Sequence, residues 1–148
     1  MKGKLSWSIF WALVGVFIVI ASVLFIPALR ELLIGFRFFL FIIVSGSIFF
    51  LLGVVLIFLT VKGKVGGILK KFLLLTGASA VGFFISVFLH NAFYALAIMT
   101  SHIAALSHAM EVFHVVFFIV AIFICPIGFL VGVVGSIVLA IKQSRMVE

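Results

Sequence analysis

The sequence predicts an all-α integral membrane protein: a four-transmembrane-helix antiparallel bundle with both termini cytoplasmic. Three observations predict it. Of 148 residues, 68% are hydrophobic and only 9% are charged, where a soluble domain is about half apolar and about a quarter charged. Mean hydropathy is +1.63, so there is too little polar surface to coat a water-facing particle. Uncharged runs extend from Leu5 to Leu29, Phe38 to Val61, Phe72 to Met110 and Val112 to Ile141. Each reaches the roughly 20 helical residues needed to cross a hydrocarbon core of about 30 Å. Barrel strands would alternate polar and apolar residues, and the run of Phe38, Phe39, Leu40, Phe41, Ile42 and Ile43 does not.

The first span covers about residues 5–29. Lys2 and Lys4 before an apolar run resemble the start of a signal peptide, but the run is too long for one and lacks a small-residue cleavage pair, so an anchor is expected. Trp7 and Trp11 near its start suit the headgroup region. The second span covers about 38–61. The third uncharged run is too long for one helix, and its polar stretch from Thr100 to His108 predicts a loop. Helices at about 72–99 and 108–141 result. No internal repeat or low-complexity linker divides the chain, which reads as a single membrane domain over 1–148.

Orientation follows from the basic residues, because short cytoplasmic segments accumulate them. Lys2, Lys4, Lys62, Lys64, Lys70, Lys71, Lys142 and Arg145 fall on one side, and only Arg30 and Arg37 on the other. The multi-pass chain is therefore expected in a membrane, the cytoplasmic one in a prokaryote, with the lipid bilayer as its first partner. The glycine-rich Lys62–Lys71 loop reads chiefly as a topology signal, and the formal net charge of +7 requires no nucleic acid to explain it. Cys125 is the only cysteine, which excludes an internal disulfide and any multi-thiolate site.

In lipid, helices associate where small residues let backbones approach and where polar groups find partners. Such seams are expected on every span: Ser8, Ala12, Gly15 and Ser22 on the first, Gly46, Gly53 and Thr60 on the second. On the third the seam runs Ser79, Gly82, Ser86, His90, Tyr94, Ala97 and Ser101. On the fourth it runs Glu111, His114, Phe118, Ala121, Cys125, Gly128, Gly132 and Gly135. Much of the load of 20 Phe is then expected to face acyl chains. The GxxxG of Gly128 and Gly132 is expected to serve packing within the chain, and Pro126 to kink the fourth helix.

All 4 histidines, His90, His102, His108 and His114, lie in one stretch with Asn91, Tyr94 and Glu111. In an antiparallel hairpin turning near Ile103, His90 and His114 reach similar depth. Glu111 and His114 form an E-x-x-H pair, and His90 and Tyr94 are neighbours four apart. Three chemistries fit. His90, Glu111 and His114 would offer a divalent metal two nitrogens and a carboxylate. His90 and His114 would alternatively clamp a haem, or the cluster would relay protons or bind a small polar ligand. Asn91, Tyr94 and His108 would be the supporting polar network. One E-x-x-H is half of a di-iron motif, and no second intramembrane carboxylate supplies the other half. The structural alternative is a hydrogen-bonded network that fastens the hairpin, since an unsatisfied buried group costs roughly 1–3 kcal/mol.

These residues predict no enzyme. The expectation is a non-catalytic membrane module or a subunit of a larger membrane complex, with other membrane subunits or further copies of itself as partners. A metal- or haem-binding redox protein built on the histidine cluster is the alternative, followed by a small oligomeric transporter or channel. The first span carries no charge between Lys4 and Arg30, so it offers no acidic coupling residue for export.

Overall fold

The computed structural model describes residues 2–33, 35–63 and 65–145, and among them every regular element is helical. In order these are α1 (Lys2–Phe25), α2 (Pro27–Glu31), α3 (Phe36–Lys62), α4 (Gly67–Met99), α5 (Ala104–Ile119), a π-helical turn (Val120–Ile124) and α6 (Cys125–Arg145). Four stretches are long and apolar enough to cross a membrane: Leu5–Phe25, Phe36–Lys62, Gly67–Met99 and Ala104–Lys142.

The element ends follow local chemistry. Pro27 forces Ile26 out of the helical region, to φ −98° and ψ 108°, so the apolar run expected as one helix over 5–29 divides into α1 and a short α2. Gly35, at φ +73°, makes the turn into α3 where an L-residue would be strained. The third span starts at Gly67, five residues before the expected 72, because Leu69 and Leu73 lie one turn apart and are both buried. Burying that pair requires Lys70 and Lys71 to be helical too. The fourth span also starts early. Only Thr100–Ile103 forms the turn, since Ala104, Ala105 and Leu106 are good helix formers and Ser107 is held from within a helix, its Oγ donating to the Ala97 carbonyl at 3.1 Å.

Pro126 is accommodated by a π turn. It has no N–H to donate and its ring would crowd the preceding turn. The backbone widens ahead of it into the π turn, and the Cys125 N–H bonds to the Val120 carbonyl, five residues back. The fourth span therefore runs on through its proline.

α4 is the hub, packed against α3, α5 and α6, while α1 packs mainly on α3. Gly53 of α3 lies so close to α4 that a Cβ there would stand 3.0 Å from the Gly77 carbonyl and the Ala80 methyl. On the α6 side, Gly128 meets Ser79 and Gly132 meets Thr76. The GxxxG of α6 thus serves packing within the chain.

One expectation about faces needs correction. On α1 most of the expected seam points outward: Ser8, Ala12 and Gly15 are exposed and Ser22 is half-buried, whereas Ser6, Phe10, Leu13 and Val23 are buried. Aromatic bulk is exposed at positions such as Phe25, Phe36 and Phe88, and part of it forms the core. Phe17 and Phe129 approach to 4.6 Å between ring centres, and Phe49 and Phe129 to 5.3 Å, forming the centre of a core with Phe10, Leu13, Leu56 and Leu73. Bulky side chains bury more area than alanine or serine, and α1 has no close helix crossing that would require small residues.

Candidate functional site: the histidine pair of the α4–α5 hairpin

The hairpin is clasped by a succession of contacts that descends from its turn. Nearest the turn is the hydrogen bond from Ser107 to Ala97. Next, Phe93 stacks on Phe113 and Phe117, with ring centres 5.2 and 5.5 Å apart. Below them His90 and His114 stack at 4.1 Å with an interplanar angle of 23°. His90 Nδ1 lies 3.1 Å from the His114 carbonyl oxygen. A carbonyl only accepts, so Nδ1 carries the proton and donates, which leaves Nε2 with a free lone pair when the ring is neutral. Phe118, at 5.4 Å from His90, and Tyr94, at 5.2 Å from His114, flank the pair.

The other sequence-selected residues stand apart from this contact. Asn91 Nδ2 donates to the Val87 carbonyl of its own helix at 2.8 Å. His102 is exposed in the turn. Glu111 faces His108, 3.7 Å away on the same helix, and both side chains are mostly exposed, so the pair is worth at most a fraction of a kcal/mol. Among the described residues no three His, Cys, Asp or Glu side chains gather in a group that would hold a metal ion. The structure thus brings His90 and His114 together and sets Glu111 toward His108.

The stacked geometry bears on haem. Axial histidines stand on opposite faces of a porphyrin, whereas rings stacked at 4.1 Å enclose no macrocycle. What this arrangement does chemically is fasten two helices, by one hydrogen bond to a main-chain carbonyl plus ring contacts. The Phe93 stack was not among the sequence candidates. Its signal was the four-residue spacing of Phe113 and Phe117 on one face of α5.

Comparison with protein-family models, with curated proteins and with solved structures gives no match to this chain.

Proposed function

We propose that the protein is a non-catalytic multi-pass membrane module that serves as a subunit or anchor of a larger membrane assembly. In this reading it is an antiparallel four-span bundle with both termini cytoplasmic. The observation that carries it is the state of α5. This helix packs chiefly on α4, none of its residues is buried, and apolar side chains such as Val112, Val116 and Phe118 are exposed along it. A core helix would bury a stripe. An apolar helix that buries none within its own chain has surface left for another membrane helix or for lipid.

Length supports the same reading. The 33 residues of α4 extend about 50 Å, well beyond a hydrocarbon core of about 30 Å. If the core begins at Phe72, just past Lys70 and Lys71, roughly 20 residues bring its outer edge to Asn91. The histidine pair then stands at the outer interface, and the hairpin tip with His102, His108 and Glu111 stands among headgroups and water. The hairpin is a structural clasp and an outward projection from the bundle.

The test is a photo-crosslinking amino acid placed in native membranes at Val112 or Val116 on α5, with Val134 on α6 as the comparison. A discrete protein adduct at both α5 positions, absent at Val134, supports the reading. Lipid adducts alone at all three positions overturn it. A second reading, a divalent metal held by His90 and His114, is favoured by one observation: His90 Nδ1 is engaged, so Nε2 is presented as a ligand. Metal analysis of the purified protein and its His90→Ala variant decides that reading.

A further inference from the structure

Away from the hairpin, α1, α3, α4, the π turn and α6 surround a cavity of about 210 Å³. Its floor is the aromatic group of Phe17, Phe49 and Phe129, and Ala21 and Ala121 supply the missing bulk. Only Ser79 and Cys125 bring side-chain polar atoms to the wall, and both are turned to glycines of the facing helix. A Cβ on Gly128 would lie 2.6 Å from Ser79 Oγ, and one on Gly82 would lie 3.3 Å from Cys125 Sγ. The lining residues that are exposed, Leu24, Phe25 and Ile122, mark where the cavity opens, between the end of α1 and the π turn.

We infer that this cavity takes one acyl chain of a bilayer lipid, entering sideways between α1 and the π turn. The lining offers a ligand no charge and no directed hydrogen bond, which excludes polar substrates. The space exceeds the apolar cavity of about 150 Å³ that holds a benzene, and its volume is too small for a turn of helix, which is about 10 Å across. An apolar space of this size does not hold water well. In a spanning bundle its mouth is bathed in hydrocarbon, so a segment of a flexible acyl chain is the occupant of matching chemistry. The inference rests on the membrane-spanning reading.

The experiment reconstitutes the full chain in phosphatidylcholine vesicles in which part of the lipid carries a diazirine on an acyl chain. After irradiation, adducts are mapped by mass spectrometry. Adducts concentrated on residues 17–25 and 121–129, in excess of those at exposed Val54 and Val138, are expected, and Ala121→Phe should lose them while leaving the Val54 and Val138 adducts unchanged. Ala21→Phe fills the same space from the other wall and serves if the first variant does not fold, as judged by circular dichroism. Wall labelling no stronger than at Val54 and Val138, or labelling that persists in the filled variants, would overturn the inference. If the protein fails to float with the vesicles, the spanning reading itself fails, an outcome distinct from insertion without wall labelling.

Discussion

Replacing Gly132 by alanine drives a methyl group of α6 against the backbone of α4. Its Cβ would stand 2.5 Å from Thr76 Oγ1, 2.8 Å from the Thr76 main-chain nitrogen and 3.1 Å from the Phe72 carbonyl. The hydroxyl cannot simply swing away, because it donates to that same Phe72 carbonyl at 3.0 Å, and the nitrogen belongs to the α4 backbone. The two helices must part, and overpacking of this kind costs about 1–3 kcal/mol. Gly15→Ala is the matched control: nothing lies within 4 Å of its added Cβ. Both changes gain the same helix propensity, about 0.5–1 kcal/mol, so the difference between them isolates the packing term. Reversible unfolding in mixed micelles, followed by circular dichroism, should rank Gly15→Ala above wild type and Gly132→Ala below it, with about 1–3 kcal/mol between the two variants. A Gly132→Ala protein as stable as Gly15→Ala would refute the close α4–α6 crossing.

Three further outcomes follow. His90→Ala loses both the bond to the His114 carbonyl and the ring stack, about 1–2 kcal/mol. His114→Ala keeps the carbonyl and loses the ring contacts with His90 and Tyr94, about half as much, and His102→Ala changes stability by less than about 0.5 kcal/mol; the same unfolding assay should give this order, and equal losses at all three would exclude the clasp. Thr60 Oγ1 is fully buried with no hydrogen-bond partner, so Thr60→Val should raise stability by about 1 kcal/mol. Thr76→Val, which removes a made bond, should lower it, and a destabilised Thr60→Val would contradict the burial of an unsatisfied hydroxyl. Finally, a π turn carries one residue more than the α-turn it replaces, so deleting exposed Ile122 should preserve both the His90–His114 and the Gly132–Thr76 contacts. Double-cysteine crosslinking at each pair tests this, and loss of either crosslink would contradict it.

The spans were legible in the sequence because apolar length is a direct consequence of bilayer thickness. Their ends were less so. Leu69 extends the start of α4 because it joins Leu73 in the core cluster, which is a property of the assembled bundle. Part of the α4 and α6 seams was readable because the α6 glycines Gly128 and Gly132 receive Ser79 and Thr76 of α4, whereas Tyr94, Ser101, Glu111 and Phe118 at the hairpin end are exposed. On α1 the same small residues lie outside, since composition names a candidate face without naming a partner. At the histidine cluster, equal depth foretold the meeting of His90 and His114. The E-x-x-H spacing of Glu111 and His114 did not foretell that Glu111 would face His108 instead, because a residue at i+3 has an equally near neighbour at i−3.

Accessibility of single cysteines in sealed vesicles of known sidedness tests the central claim most directly. In a Cys125→Ala background, Leu33→Cys and His102→Cys should react with an impermeant maleimide from the outer side. Val65→Cys and Arg145→Cys should react only after permeabilisation. A pattern in which positions 33 and 102 label from opposite sides, or in which all four label from one, would contradict a four-span module whose α4–α5 hairpin projects at the outer face.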